Sequence, residues 1–151
     1  MIGFRLRTFL RGLVGLMFLG GVASATAPAG RYTIGSGTVK DNKTGLTWQR
    51  LAAVPTTTYT WANAKSYCPT LGNGWRLPTV TELMTLVDFS TAAGTLRIDT
   101  AAFPDTATGL VYYWSSSPYV ADTTLARAVS FAAAFASTDF VTASDYVRCV
   151  H

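Results

Sequence analysis

Few residues in this chain carry side chains able to do chemistry, and their spacing limits what that chemistry can be. The 151 residues hold two cysteines, Cys68 and Cys149, one histidine, His151, and one glutamate, Glu82. A Ser-His-Asp or Cys-His centre would have to draw on the last residue, where a frayed end is the plainer expectation. Apart from that terminal histidine, neither cysteine has a base nearby in sequence to activate it. Two cysteines and a terminal histidine are too few for a zinc site. The seven aspartates are scattered through turn-like segments, and they suit turn caps at least as well as a glycosidase pair. EF-hand spacing is absent, and a structural calcium on Asp99, Asp105 or Asp122 has no supporting motif. No catalytic residue, metal or cofactor is therefore expected. Contact chemistry remains: Tyr and Trp faces stack on sugar rings, and Arg forks pair with sulfate or carboxylate. The candidates for ligand contact are Tyr112, Trp114, Tyr119 and Arg127. Core packing is the competing use for Trp48, Trp61, Trp75 and Trp114. Arg76 and Arg148 are expected as buried pairs to an aspartate, whereas Tyr112, Tyr119 and Arg127 are expected at the surface.

The chain opens on what reads as an address. Arg5, Arg7 and Arg11 precede an apolar or glycine run at 12–22, and Ala23-Ser24-Ala25-Thr26-Ala27 offers two overlapping A-x-A sites. That pattern predicts a signal peptide over residues 1–27, cut after Ala25 or Ala27, with a mature domain at 28–151. The apolar run is too short for a stable membrane span, although an uncleaved anchor is the competing reading. Removal of the leader turns a formal charge of +4 into nine cations against eight anions. No basic run then remains to attract nucleic acid. The implied location is outside the cytoplasm: periplasmic, cell-surface or secreted. An oxidising compartment favours a Cys68–Cys149 bridge, two free buried thiols being the alternative. Closing a loop of that length is worth up to about 4.5 kcal/mol in the chain-entropy model.

The elements that must position these residues are short. Charged residues make up only 13% of the sequence, too few for the wet faces of long helices, which argues against a helical bundle. Residues 31–34, 38–40 and 46–50 read as strands, with Asp41-Asn42-Lys43-Thr44-Gly45 as a turn. Residues 52–59 form a Pro/Thr-rich loop. Thr60 is a plausible N-cap for a helix that turns Trp61, Ala64, Cys68 and Leu71 inward. Thr79 and Glu82 form a capping box for a second helix, whose buried stripe is Leu83, Leu86 and Val87. Residues 88–110 are irregular, with a short element at Ile98-Asp99-Thr100. Residues 112–116, 126–131, 138–141 and 146–149 read as further strands, and the order suggests an α+β fold with a small mixed or antiparallel sheet.

Taken together, these blocks resemble the Lcl C-terminal domain family, named for the C-terminal domain of a Legionella collagen-like adhesin. The resemblance is carried by Asp41 to Arg50, by Tyr59 to Cys68, by Trp75-Arg76-Leu77-Pro78-Thr79 with Glu82-Leu83, by Ile98-Asp99-Thr100 and Phe103-Pro104, by Tyr113-Trp114-Ser115-Ser116, and by Tyr146-Val147-Arg148-Cys149-Val150. It covers about residues 31–151. It implies a C-type lectin-like fold, in the variant shared with formylglycine-generating enzymes: two short helices, a long loop region, and termini that meet in one sheet. It also implies a disulfide from the first helix to the last strand, at Cys68 and Cys149. A binding module follows from the resemblance, because such folds use the long loop region for recognition. The expected partner is an extracellular or envelope glycan or a surface protein. The alternative is an assembly subunit whose loops bury against a partner chain. The calcium-dependent sugar motifs of C-type lectins are absent, Phe103-Pro104-Asp105 being a poor echo. The closely spaced cysteine pair of the formylglycine-generating enzymes is absent too. The sequence also has no collagen-like Gly-x-y run, and it leaves ligand and oligomeric state open.

Overall fold

The computed structural model describes residues 27–51, 57–72, 74–92 and 94–151; the leader read at 1–27 lies outside the described residues except for Ala27, as do residues 52–56 of the Pro/Thr-rich loop. Two three-stranded antiparallel sheets and two short helices make a small α+β domain.

The first sheet is a meander of β1 (Tyr32–Ile34), β2 (Thr38–Asp41) and β3 (Thr47–Gln49). Its tight turns follow from local chemistry. The Asp41 carboxylate accepts the Lys43 N–H at 2.9 Å, and Gly45 takes the left-handed φ of 78° that closes the second turn. Register pairs Val39 with Trp48, which places both fully buried side chains on one face.

The end of the chain completes this sheet. Thr47 and His151 exchange both backbone hydrogen bonds, at 3.0 and 2.8 Å, and Val150 does the same with Arg76 at 2.9 Å each way. His151 is thus pinned by two bonds to Thr47, not frayed as the sequence suggested. The His151 ring also leaves no room at Gly74, where an added Cβ would come within 2.5 Å of it. Residues 146–149, expected as a full strand, form one isolated bridge instead, Tyr146 beside Tyr113, and the next residue, Val150, lies between Trp48 and Arg76.

Helix α1 (Trp61–Tyr67) starts where Thr60 accepts the Asn63 N–H, and runs into a short 3₁₀ turn, Cys68–Leu71. Ala64 and Cys68 face inward as expected, but Leu71 is 36% exposed, because the tighter 3₁₀ winding rotates it off the helical stripe. Helix α2 (Val80–Met84) buries Leu83, and Leu86 and Val87 follow it into the core.

The second sheet has β4 (Tyr113–Pro118), β5 (Leu125–Ser130) and β6 (Phe135–Phe140) in sequence order. It divides the interior. Tyr113 and Val129 join Val39, Trp48, Leu83, Ile98, Phe103 and Phe131 on one side. Trp114, Ala126 and Ala128 join Ala64, Leu77 and both cysteines on the other. The Cys68–Cys149 disulfide lies inside this second group and ties the end of α1 to the C-terminal segment. The stretch Ile98-Asp99-Thr100 forms no strand. Asp99 instead accepts the Ala101 and Ala102 N–H groups at 2.9 Å each and caps a turn.

Candidate functional site

The two arginines expected as buried aspartate pairs differ. Arg148 fits the expectation: its side chain is buried, pairs with Asp105 at 2.8 Å and donates to the Gln49 and Arg50 carbonyls at 2.9 and 3.1 Å. Arg76 does not. It forms a two-pronged pair with Glu82, at 2.8 and 2.7 Å, with its side chain 47% exposed. The Arg76 hydrogen bonds, with help from the Thr79 N–H, hold the Glu82 carboxyl down at about 2. Glu82 therefore serves both the capping box with Thr79 and an ion pair, and both are structural.

Of the four candidates for ligand contact, Trp114 is fully buried, and its indole N–H donates to the Tyr59 carbonyl at 2.7 Å. It is a core residue with no face to offer. The β-strand alternation that placed it in a block with Tyr112 could not say which face is inward. Tyr112 is half-buried against the disulfide side of the core. Trp61 and Trp75 are also half-buried; the Trp61 N–H donates to the Ser115 carbonyl at 2.7 Å, and the Lys65 ammonium lies 3.6 Å from its ring centre.

Tyr119 and Arg127, expected at the surface, are half-buried like Tyr112, but they do come together. Tyr119 follows β4 directly, and Arg127 lies on β5; the guanidinium carbon sits 5.3 Å from the centre of the tyrosine ring. The connection between the strands is locally fixed. Asp122 accepts from the Thr124 N–H and hydroxyl at 2.9 and 2.7 Å, which holds its carboxyl below the usual range, and Tyr119 N–H donates to the Leu125 carbonyl at 3.2 Å. Among the described residues no carboxylate forms an ion pair with Arg127. Register places Leu125 opposite Phe140 and Arg127 opposite Thr138, so these four share one face of the sheet. Farther along that face Val129 is covered by the core that includes Leu83 and Leu86. The end bearing Tyr119 and Arg127 also bears Phe140, 61% exposed, and Val120, 94% exposed on the turn. Val120 and Phe140 were not singled out from sequence, and a lone apolar residue in a turn carries no signal of its role.

The long loop is elsewhere. Gly94, Thr95, Leu96, Gly109 and Leu110 line an open hollow of about 360 Å³ with Ala132 and Ala133. Those alanines belong to the β5–β6 turn, at the opposite end of β5 from the Tyr119 turn. The candidates for ligand contact were expected on or beside the long loop; Tyr119 and Arg127 lie instead at the other end of β5 from its hollow. Another hollow, of about 370 Å³, lies between Gly37, Thr38, Gln49, Leu51, Leu71 and Trp75. Among the described residues no three His, Cys, Asp or Glu side chains gather as metal ligands, and no helix is long and apolar enough to cross a membrane.

A small disulfide-tied α+β domain of two antiparallel sheets, closed by its own C-terminus, sets the class. The Lcl C-terminal domain model matches residues 37–151, and the chain belongs to that family. Comparison with curated proteins finds no match.

Proposed function

We propose that this is an exported, non-catalytic binding module with a C-type lectin-like fold. Its ligand is an extracellular or envelope glycan or surface protein, engaged at the distal end of the second sheet. The family is consistent with an adhesin-like module, and the disulfide fits an oxidising compartment. The fold reading is supported by the bridge from α1 to the C-terminal segment and by the pairing of that segment with β3. The observation that carries the site is the Tyr119–Arg127 pair beside exposed Val120 and Phe140. An aromatic face with an adjoining guanidinium suits a sugar ring bearing an acidic group. The hollow at Leu110 offers no charged or aromatic side chain, only threonine hydroxyls, apolar side chains and backbone groups.

The second reading is an assembly subunit, and the exposure of Leu110 and Phe89 as well as Val120 and Phe140 favours it. A glycan array probed with the mature domain separates the two. Signal on several related glycans supports the binding module. Silence on the array, with a defined oligomer in solution, supports the subunit.

A further inference from the structure

Among the described residues, the second sheet has one bare edge. Its strand order is β4-β5-β6, so β6 has a neighbouring strand on one side only. The opposite edge, β4, is covered: Trp114 N–H donates to the Tyr146 carbonyl at 2.9 Å, and Ser116 N–H to the Pro78 carbonyl at 2.7 Å. β6 is six residues long and pairs with β5 one for one, without a bulge. It carries no proline or lysine, the usual guards of an exposed edge, and its one charge is Asp139.

The bonds around β5 show which β6 groups face off the edge. Leu125 donates its N–H to the Asp122 carbonyl and accepts Tyr119 N–H at its own carbonyl, both away from β6. Val141 N–H, one residue past Phe140, donates to the Thr124 carbonyl. Leu125 and Phe140 are therefore opposed without mutual hydrogen bonds, and alternation makes Arg127–Thr138 and Val129–Ala136 pairs of the same kind. The N–H and carbonyl groups of Ala136, Thr138 and Phe140 thus point outward. Those of Phe140 are used locally: Asp139 Oδ1 accepts its N–H at 2.7 Å, and its carbonyl accepts Ala143 N–H at 2.7 Å. At Ala136 and Thr138 the outward groups have only one long contact among the described residues, 3.5 Å from the Ser137 hydroxyl to the Thr138 carbonyl.

We propose that β6 pairs with β6 of a second copy of this chain, antiparallel about a two-fold axis at Ser137, joining the two sheets into one of six strands. A two-fold axis normal to the sheet keeps every side chain on its own face, so only residues an even number apart can oppose each other. Setting Ser137 against its symmetry mate puts Ala136 opposite Thr138 on both sides of the axis. Those residues then exchange hydrogen bonds through the very groups left free in the single chain. Setting Thr138 against its mate would instead need the Phe140 groups that Asp139 and Ala143 hold. The Ser137 register brings only small side chains, Ala136, Ser137 and Thr138, to its centre. The two Asp139 carboxylates fall four residues apart along the strands, roughly 13 Å, which is beyond a Debye length.

This register also fixes what the dimer presents. Arg127 and Thr138 share a face with Val129 and Ala136. Both Tyr119–Arg127 pairs therefore stand on one face of the joined sheet, with the arginines about 16 Å apart by strand spacing. That consequence rests on the ligand reading above; the dimer itself does not. A single strand edge is a small interface, so a dissociation constant of about 1–100 μM is expected.

Sedimentation of the purified chain over a concentration series tests the pairing, with thermal melts to confirm that each variant is folded. A monomer–dimer equilibrium is expected. S137K and S137E each set like charges face to face on the axis, and each should weaken the dimer by about tenfold or more. An equimolar mixture of the two should restore it. T138P removes an N–H that no bond to β5 uses, and it should also leave monomers. A parent chain that stays monomeric up to about 1 mM overturns the proposal. So does an oligomer that S137K and S137E leave unchanged, and so does a mixture of the two that stays monomeric. Sedimentation needs no ligand, so the two readings fail separately. A charge-responsive dimer that is silent on a glycan array overturns the ligand reading alone, and glycan binding by a chain that stays monomeric overturns the dimer alone.

Discussion

At the scale of single residues, Asp145 is the least comfortable group in the domain. Its backbone exchanges both hydrogen bonds with Tyr59, at 2.8 and 3.0 Å, which fixes it in place. Its Oδ2 is buried without a hydrogen-bond partner among the described residues. Burial, with Asp139 adding to it, pushes its carboxyl up to about 6. A raised carboxylate pKa disfavours the ionised form in the fold. The cost is absent below the unfolded value near 3.8, grows as pH rises, and is complete above about 6. D145N should therefore raise Tm at pH 7.5, by the equivalent of about 1–3 kcal/mol, and leave it unchanged near pH 3.5. Thermal melts across that range check this, and a difference independent of pH contradicts it. Nothing in the spacing of the aspartates marked this one, because burial is decided by a tertiary contact with Tyr59. Arg148 was readable as a buried pair, whereas Arg76 was not. Its partner is six residues away on α2, and the sequence assigned Glu82 to capping alone.

At the scale of elements, local chemistry was the most legible part of the chain. The Thr79–Glu82 box predicts α2, and the structure shows both reciprocal bonds. Thr60 likewise marks the start of α1. These signals work because the cap and its acceptor are three residues apart, within reach of one turn. Where pairing is long-range, the reading weakened. Residues 146–149 alternate like a strand, yet among them only Tyr146 is bridged, to Tyr113, and it is Val150 beyond them that bridges Trp48 and Arg76. T79A should cost about 1 kcal/mol, measured by chemical denaturation at pH 7. The Glu82 carboxyl, held at about 2 by Arg76, adds stability that is present above the unfolded value near 4.5 and lost as pH falls toward 2. Because Arg76 is half-exposed, solvent screening limits that part to about 1 kcal/mol. E82Q should therefore be destabilised at pH 6 and converge with the parent near pH 2.5.

At the scale of the whole molecule, the disulfide and the C-terminal pairing hold the two sheets as one domain. Removing the bridge as C68S/C149S should cost up to about 4.5 kcal/mol, with a matching fall in the denaturation midpoint. A midpoint unchanged by that double substitution would mean that β3 and Arg76 hold the terminus without help. The overall α+β order and the bridge were readable from element order and cysteine use. The grouping of the candidate ligand-contact residues was not. Sequence placed Tyr112, Trp114, Tyr119 and Arg127 together, but only the folded hairpin shows Trp114 inside, and Tyr119 with Arg127 at the far end from the long loop.

The most direct measurement is glycan-array binding of the mature domain beside its Y119A/R127A variant, both confirmed folded by thermal melting. The distal sheet face predicts binding by the parent domain and at least a tenfold loss in the variant, about 1.4 kcal/mol, at similar Tm. Undiminished binding by the variant would contradict it.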